Sequence, residues 1–544
     1  MKAAAWLDTS LRRLFPLSEA GGKRTLAIPA ARGERVSLQV GVRVDGPDPV
    51  EVAVRTAAAD GLAVQVRRVG CVPVPHHNTA TSAEELDGVG HVPGYVPDPL
   101  FPESVARVAP GEVAAFWLTV TVLKEAKPGP HEIEVEVYAG GKPQRPLTTT
   151  ILVSEVMLAR RKGFHATHWF YADALCDWYK VEPFEDAFWP ICEAYMRNYA
   201  EHGLDTIYVP AFTPPLDGVK RPTQLLQVRQ RRVAGRGRPA YKFDWSLVRQ
   251  WTELAKKCGI RHFEWTHLFT QWGVKHAIRI YDPQGHLLWN PETKATSKTY
   301  RNFLSQFLPA LERFLREEKL LGRSFFHISD EPHGDEHLAN YRAARAMVRE
   351  LAPWMKTMDA LSDIRFAREG LVDTPVPSIS TTRQFVEEGI PCWTYFCCGP
   401  RGKFLNRLLD TPLAKLRMAG WLFYRLGVGG FLHWGYNYWY KSQTQQMIDP
   451  FTVTDGLAWP GWAYGDTFQV YPGPDGPLDS IRWEVFAESL QDYALLQTLG
   501  VPREGALLAP LRGFDDFPKT EAWLAAARRR LLATHGSPAY NGPQ

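Results

Sequence analysis

The stretch YRNFLSQFLPALERFLREEKLL at positions 300–321, followed by RSFFHISDEP at 323–332, decides the fold class of this chain. The first segment has the spacing of an amphipathic helix, and the second is an apolar run that ends in two acids and a proline. After residue 160, short apolar runs keep alternating with amphipathic segments. This alternation is typical of parallel strands that are joined by crossover helices.

Eight candidate strands can be counted in this part of the chain. They lie at 163–171, 206–210, 261–267, 323–332, 356–361, 374–380, 391–398 and 429–439. Eight strand–helix units that close on themselves make a (β/α)8 barrel, and about 340 residues is near the usual size of that fold with insertions. We therefore predict an α/β fold with a (β/α)8 TIM barrel domain at 159–500.

The amino-terminal part of the sequence has a different periodicity. Runs such as RVSLQVGVRV (35–44) and HEIEVEVYA (131–139) alternate apolar and polar residues between Gly, Pro and Asp turns. This pattern predicts an antiparallel β-sandwich domain at 1–158. We assign 501–544 to a carboxyl-terminal helical tail packed on the barrel. The loop histidines at 76, 77 and 91 are candidate metal ligands or solvated side chains, and we predict no metal site because set-spacing partners are missing.

Composition excludes some functional classes. The chain has 544 residues, 45% of them hydrophobic and 22% charged, with a net charge of +4, so neither extended disorder nor nucleic-acid binding is indicated. The 19 Trp, 20 Tyr and 27 Phe form a heavy aromatic load that suits sugar-binding clefts as well as a large core. The basic run QVRQRRVAGRGRPAY at 227–241 locally resembles a nucleic-acid-binding patch. We interpret it as a solvated loop, and contact with an acidic or sulfated glycan is the alternative.

Cysteine usage and targeting signals bear on location. The seven cysteines form an odd set without C-x-x-C spacing, which argues against a disulfide framework and a zinc site. The first residues have no apolar signal segment, and no apolar run is long enough to cross a membrane. We predict a cytoplasmic protein without membrane insertion. Secretion stays open, because a sequence trimmed of its signal would look the same.

The first candidate catalytic residues are acids at the end of a predicted strand. In (β/α)8 barrels the reacting groups lie at the carboxyl ends of strands and in the loops that follow. Asp330 and Glu331 end the apolar run of the fourth candidate strand and precede Pro332, so we predict that this pair is catalytic. A helix-capping Asp beside a surface Glu would give the same local pattern. Glu264, in the third candidate strand, is the reserve candidate.

Glycoside hydrolysis normally needs two carboxyl groups, one as acid and the other as nucleophile or base. The candidate strands 391–398 and 429–439 contain no acid that could serve as nucleophile. A 2-acetamido group on the substrate can instead attack the anomeric carbon and form an oxazoline intermediate. Neighbouring acids suit that chemistry, because one protonates the glycosidic oxygen while the other polarises the acetamido N–H.

Several segments carry a resemblance to a known family. The segment GDTFQVYPGPDGPLDSIRWEVFAESLQDYALL at 465–496 is the most specific, and FHISDEP and ARGERVSLQVGVRV accompany it. Its elements are Gly465-Asp466, Tyr471-Pro472-Gly473, Ser480 to Glu484 and Asp492-Tyr493. Together they resemble glycoside hydrolase family 123 and the related catalytic domains grouped with it. Ala494 departs from the family pattern, which often has an acid there, and leaves the subfamily open.

The resemblance implies a retaining exo-acting β-N-acetylgalactosaminidase that works by substrate assistance on a glycan or glycoconjugate. It maps the stabilising acid onto Asp330 and the acid/base onto Glu331, with no cofactor and no metal. A glycosidase for sugars without an acetamido group and a non-catalytic carbohydrate-binding protein are the alternatives. The oligomeric state is left open.

Sugar-binding side chains are expected at the same rim of the barrel as the two acids. Tyr395 and Trp434 are the first choices, because a tyrosine hydroxyl can reach the acetamido oxygen and a Trp can wall its methyl group. Only about half of the aromatics can face the cleft, since side chains alternate along a strand. The full set of predicted substrate-binding residues is His165, Trp169, Trp265, Trp393, Tyr395, Trp434 and Tyr436.

Overall fold

The computed structural model describes residues 2–58, 60–216, 221–231, 238–458 and 461–533. The middle of the basic run, residues 232–237, and the last part of the predicted tail, residues 534–544, lie outside the described residues. In the described part of the chain, no helix combines the length and the apolar character needed to cross a bilayer.

Two sheets form the amino-terminal region. Their strands are β1 (Lys2–Thr9), β2 (Thr25–Arg32), β3 (Arg35–Asp45), β4 (Val50–Ala58), β5 (Leu62–Val74), β6 (Gly94–Phe101), β7 (Val105–Val108), β8 (Val113–Val122), β9 (Gly129–Ala139), β10 (Lys142–Pro143) and β11 (Leu147–Met157). One sheet has the order β1-β3-β8-β5-β6, and the other has the order β2-β11-β9-β4-β7 with β10 on β9. The pairs are antiparallel except for β2 with β11.

Alternating burial explains why these segments form strands. In β9, Ile133, Val135 and Val137 are buried while the glutamates between them are exposed. The buried residues of both sheets share one apolar core, in which Leu38 and Phe116 of the first sheet are fully buried. The antiparallel amino-terminal sheets predicted from the sequence are therefore confirmed.

The remaining strands follow in the order of the predicted segments. They are β12 (His165–His168), β13 (Thr206–Val209), β14 (Gln227–Arg231), β15 (Ala240–Asp244), β16 (His262–Trp265), β17 (Ser324–Phe326), β18 (Met358–Ala360), β19 (Thr374–Val376), β20 (Thr394–Tyr395), β21 (Gly430–His433), β22 (Val470–Gly473) and β23 (Gly476–Asp479). Each of the eight candidate segments contains one short strand, and the hairpins β14–β15 and β22–β23 come in addition.

A parallel half-barrel is the framework of this region. Six strands pair in the order β17-β16-β13-β12-β21-β20, and every pair among them is parallel. The pair β18–β19 is also parallel. Isolated parallel bridges join Phe326 to Thr357 and Ser378 to Tyr395. The predicted mixed α/β fold with parallel strands is confirmed at this level.

Helices lie between and after the strands. They are α1 (Ala172–Tyr179), α2 (Phe188–Glu201), α3 (Ser246–Lys257), α4 (Lys298–Glu317), α5 (Gly334–Leu351), α6 (Arg365–Arg368), α7 (Thr382–Glu387), α8 (Leu413–Arg417), α9 (Ala419–Leu426), α10 (Ile481–Thr498) and α11 (Glu521–Ala533). α4 coincides with the helix predicted at 300–321. It begins after Ser297, whose hydroxyl accepts a hydrogen bond from the N–H of Tyr300, and it buries its apolar face.

Charged residues hold the amino-terminal sheets against the half-barrel. The buried guanidinium of Arg482, in α10, pairs with the buried carboxylate of Asp98, in β6, and Tyr471 donates a second hydrogen bond to that carboxylate at 2.7 Å. Glu484 pairs with Arg67 at 2.7 Å and with Arg35 at 2.8 Å. The segment 465–496, which carries the family resemblance, therefore forms much of this interface.

The carboxyl-terminal helix lies against both parts of the protein. Arg528, in α11, pairs with Glu34 near the start of β3 at 2.6 Å and with Asp492 in α10. Trp523 packs edge-on against Trp421 of α9. Helix α11, which lies in the predicted tail, thus contacts α9, α10 and the amino-terminal region.

We expect Asp98→Asn to lower the free energy of unfolding by about 3–5 kcal/mol, because it leaves the fully buried Arg482 without its counter-charge. Urea unfolding monitored by fluorescence measures the change. Glu387→Gln is the matched control, since it removes one acid from an exposed pair with Arg383 and should cost less than about 1 kcal/mol. Equal stability of the two variants would contradict a structural role for the Arg482–Asp98 pair.

Candidate active site

A cavity opens at the carboxyl ends of the parallel strands and contains both predicted catalytic acids. Its wall comes from the ends of several strands and from the loops after β16, β20 and β21. The lining residues include Trp169, Gln271, Trp272, Asp330, Glu331, Tyr395, Cys397, Cys398, Trp434, Tyr438, Gln443 and Trp462. Among the described residues that line it, Asp330 and Glu331 are the acids.

Asp330 is the more enclosed acid of the pair. Its side chain is only 4% exposed, and its Oδ2 accepts a hydrogen bond from the Nε2 of Gln271 at 2.9 Å. Its carbonyl oxygen accepts from the N–H of Trp272 at 2.8 Å. The loop after β16 therefore fixes both the backbone and the carboxylate of Asp330.

Glu331 is half-buried and has an unusual backbone conformation. Its φ is +45°, in the left-handed region that non-glycine residues rarely adopt, and its N–H donates to the carbonyl of Ala360 at 2.8 Å. Strain of this kind persists only where the surroundings impose it, and it is concentrated at functional sites. The turn directs consecutive acids into one cavity, whereas consecutive residues of a regular strand point to opposite faces.

Tyr395 is the direct partner of Glu331. Its hydroxyl donates to Oε1 of Glu331 at 2.5 Å. Burial, together with the negative charge of Glu331, raises the pKa of Tyr395 well above its usual value. The phenol therefore keeps its proton at neutral pH and donates to the carboxyl group. That this hydroxyl also reaches a substrate acetamido oxygen stays a prediction.

A chain of buried charged groups lies beneath the cavity. His327 contacts Oε1 of Glu264 through Nε2 at 2.8 Å and Oδ1 of Asp359 through Nδ1 at 3.1 Å. Asp359 also accepts hydrogen bonds from the backbone N–H of Ile328 at 3.1 Å and of Ser329 at 3.3 Å. These contacts hold the backbone of the residues that immediately precede Asp330.

Burial alone would lower the pKa of His327, but its hydrogen bonds to Asp359 and Glu264 and their negative charges raise it to about 9. His327 is therefore a protonated, hydrogen-bonded group. Glu264, the reserve catalytic candidate, is fully buried and accepts hydrogen bonds from Thr167 at 2.6 Å and Trp169 at 2.7 Å. Its carboxylate supports the wall residue Trp169 from inside the half-barrel.

The structure brings three of the seven predicted substrate-binding residues to the acids. Trp169, Tyr395 and Trp434 line the cavity together with Asp330 and Glu331. The indole of Trp434 donates to the buried carboxylate of Asp466 at 3.0 Å, which fixes the plane of this ring.

Trp265 and Tyr436 lie outside this cavity because their side chains point toward the helices. Trp265 follows the inward-pointing Glu264, and its indole donates to Ser324 at 2.9 Å and packs against Phe314 of α4. The hydroxyl of Tyr436 contacts Asn198 of α2 at 3.0 Å. Alternation along β16 therefore separates Trp265 from the acids, and the contact with α2 separates Tyr436 from them.

His165 and Trp393 lie at the amino ends of their strands, away from the cavity. His165 is the first residue of β12 and contacts Asp205 at 3.0 Å, and Trp393 precedes β20. The two rings stack with their centroids 5.7 Å apart. The sequence did not show at which end of these short strands the two residues would lie.

The sequence reasoning missed the wall residues of the loops. Gln271, Trp272 and Gln443 line the cavity, and Trp272 and Gln443 have positive φ values of 62° and 57°. These loops lack any periodicity from which an orientation follows. The rule that loops after barrel strands carry functional groups is the one signal that applies to the segment TQW at 270–272, but it does not say which of these side chains face the cavity.

Among the described residues, three groups of side chains have a ligand spacing that could hold a metal ion. They are His165-Asp205-His262, His267-His327-Asp359 and His202-Asp479-Glu484. The described lining of the cavity includes none of these residues. In the second group both ring nitrogens of His327 already contact carboxylates, and in the third Glu484 pairs with two arginines.

Comparison with known proteins adds a family and a fold. Residues 169–499 match the model of the glycoside hydrolase 123 catalytic domain. No curated protein sequence matches the chain. A family 123 glycoside hydrolase from Clostridium perfringens, solved in a study of glycolipid glycan hydrolysis, superimposes with a TM-score of 0.76 at 13% identity, over 98% of each chain. A family 39 glycoside hydrolase from Bacteroides cellulosilyticus has a TM-score of 0.33 at 10% identity, over 86% of this chain and 82% of that one.

The shifted pKa of His327 predicts a pH dependence of stability. An unfolded histidine titrates near pH 6.5, so folding raises the affinity of His327 for its proton. Its contribution to the free energy of unfolding is therefore complete below pH 6.5 and is lost as the pH rises through about 9. We expect His327→Gln to cost on the order of 3 kcal/mol more at pH 6 than at pH 10.

Urea unfolding of the wild-type protein and of His327→Gln, each at the lower and the higher pH, measures how the cost of the substitution changes with pH. His286→Gln is the control for the loss of an ordinary histidine, because the side chain of His286 is 77% exposed. A cost of His327→Gln that is the same at both pH values would show that the buried ring is uncharged.

Proposed function

Because the chain belongs to glycoside hydrolase family 123, we propose that it removes a terminal 2-acetamido sugar from a glycan, with β-N-acetylgalactosaminides as the favoured substrates. The chain is a glycoside hydrolase, and the proposal concerns its substrate and mechanism. The observation that supports it is the single cavity that receives both Asp330 and Glu331. The similar Clostridium perfringens structure comes from a study of glycolipid glycan hydrolysis. A glycoconjugate is therefore a suitable natural substrate.

Glu331 serves as the general acid and base in this proposal. In the first step its carboxyl group gives a proton to the glycosidic oxygen while the acetamido oxygen attacks the anomeric carbon, so the C–O bond to the leaving group breaks and an oxazoline forms. In the second step Glu331 takes a proton from water, which attacks the same carbon and reopens the oxazoline. Since Tyr395 donates to Oε1, the transferred proton is carried by Oε2.

Asp330 serves as the stabiliser. Its carboxylate accepts a hydrogen bond from the acetamido N–H and offsets the positive charge that develops on the nitrogen. The hydrogen bond from Gln271 and the burial of Asp330 support this role, because they fix the carboxylate before the substrate binds. A preorganised group of this kind needs no rearrangement when charge develops.

The lining of the cavity supports a substrate nucleophile. A retaining mechanism with an enzyme nucleophile needs a second carboxylate about 5–5.5 Å away across the scissile bond. Asp330 and Glu331 come from one turn. In the described lining, β20 contributes Tyr395 and the segment directly after β21 contributes Trp434, and neither is an acid. Retention of configuration then results from two successive displacements at the anomeric carbon.

We also infer that the parallel strands close into a complete (β/α)8 barrel, with domain limits at 1–158, 159–500 and 501–544. The six-stranded sheet ends in β17 and β20, and β18 and β19 come between these strands in the sequence. The isolated bridges Phe326–Thr357 and Ser378–Tyr395 lie at the two gaps and support closure.

A panel of aryl β-glycosides tests the proposed function. We expect hydrolysis of the N-acetylgalactosamine substrate, weaker hydrolysis of the N-acetylglucosamine substrate and none of the galactose and glucose substrates. Hydrolysis of galactosides or glucosides at equal rates would favour a glycosidase without acetamido participation. Binding of the free sugars with no hydrolysis of any member would favour a carbohydrate-binding protein.

On the hydrolysed substrate, Glu331→Gln should lower kcat/KM by about 10²–10⁴-fold, the usual contribution of general acid–base catalysis, and Asp330→Asn should lose nearly as much. Asp335→Asn is the matched control, because Asp335 is 91% exposed at the start of α5. Near-wild-type turnover of both site variants, with circular dichroism confirming their fold, would reject the assignment.

A further inference from the structure

A second cavity of about 320 Å³ lies beside the candidate active site. It is lined by residues 213–215, after β13, and by the long loop that runs from Thr270 to Glu292 after β16. Gln271, Trp272 and Gln443 line both this cavity and the one that holds the acids. The two cavities are therefore neighbours that share a wall, and the Gln271 side chain that contacts Asp330 belongs to that wall.

The shared wall carries an exposed aromatic ring. Trp272 is 42% exposed, although its backbone is fixed by the hydrogen bond from its N–H to Asp330 and by a φ of +62°. Large exposed aromatic side chains are platforms for the apolar faces of ligands. Because Trp272 lines both cavities, a ligand that extends from the acids across the wall would pass over this ring.

The second cavity is also lined by a cation, Arg279. Arg279 is half-buried, and in the described part of the chain no acid pairs with it. The acid that lines the same cavity, Glu292, is 82% exposed and lies 3.8 Å from the Nε2 of His276. The planar guanidinium matches the bidentate geometry of an oxyanion, and its partial burial strengthens such a contact.

We propose that this second cavity binds the sugar that carries the leaving oxygen, and that Arg279 selects leaving-group sugars with an anionic substituent. The substituent is an oxyanion, either a sulfate ester or a carboxylate. Trp272 supports the ring of this sugar, and Arg279 binds its anionic group. The inference rests on the proposed function, because it takes the proton donor Glu331 as the point from which the leaving group extends.

Matched disaccharide substrates test the proposal. Each has the same terminal 2-acetamido β-sugar, linked to a neutral hexose, to that hexose with a sulfate ester, or to the corresponding hexuronic acid. We expect the wild-type enzyme to prefer one or both anionic substrates by at least about tenfold in kcat/KM, the size of one charge-assisted hydrogen bond. The preference should shrink as ionic strength rises, because the site is partly exposed.

Two variants of Arg279 separate the anion contact from general binding. Arg279→Gln should bring the ratio of kcat/KM for anionic and neutral substrates to about one. Arg279→Lys should give an intermediate ratio, because lysine keeps the positive charge but lacks the planar, bidentate donors of the guanidinium. Lys275→Gln is the matched control. It removes a cation from the same loop, but Lys275 pairs with Glu336 and is not among the residues lining the cavity, so the wild-type ratio should persist.

The outcomes distinguish this inference from the proposed function. A preference for either anionic substrate that is lost in Arg279→Gln supports the site and identifies its anion. If all three disaccharides are hydrolysed and the wild-type ratio of kcat/KM for anionic and neutral substrates is near one, the anion site is overturned while the proposed function stands. The same conclusion follows if Arg279→Gln leaves that ratio unchanged. No hydrolysis of any disaccharide or aryl glycoside, with wild-type and Glu331→Gln proteins behaving alike, overturns both.

Discussion

The geometry of the candidate active site depends on one buried chain of charged side chains, Glu264–His327–Asp359. Removing these groups from water is costly, and the cost is offset because nearly every oxygen and nitrogen in the chain has a partner. The carboxylate of Asp359 accepts hydrogen bonds from the backbone N–H groups of Ile328 and Ser329, the two residues before Asp330. The half-barrel thereby fixes the turn in which Glu331 adopts its left-handed conformation, and the two acids enter one cavity.

A second set of buried charges fixes the framework around this site. The segment 465–496 looked most specific in the sequence, yet its Arg482, Glu484 and Asp492 pair with residues of the amino-terminal sheets, of α8 and of α11. Two neighbouring residues of the segment reach the cavity wall. Asp466 accepts a hydrogen bond from the indole of Trp434, and the carbonyl of Thr467 accepts one from the N–H of Tyr438 at 3.1 Å. The charged residues of this segment therefore mainly join the sheets, the half-barrel and the last helix, and its first residues support the cavity wall.

Strand positions could be predicted because apolar runs ending in Pro, Gly or acids are local features. Which aromatic side chains face the cavity could not be predicted, because their orientation depends on where each short strand starts. Trp265 points outward because Glu264 points inward, whereas His165 and Trp393 lie at the amino ends of their strands. Gln271 and Trp272 belong to a long loop whose course is set by its contacts with Asp330, and no sequence period describes such contacts.

The proposed roles of Asp330 and Glu331 depend on the proposal that the substrate's own acetamido group is the nucleophile. A series of aryl glycosides with acetamido, fluoroacetamido, difluoroacetamido and trifluoroacetamido groups measures it most directly, because each fluorine weakens the attacking carbonyl oxygen. If that oxygen is the nucleophile, kcat/KM falls steeply and continuously along the series. A rate that is independent of fluorination, together with a covalent glycosyl-enzyme detected by mass spectrometry on an Asp or Glu, would contradict it.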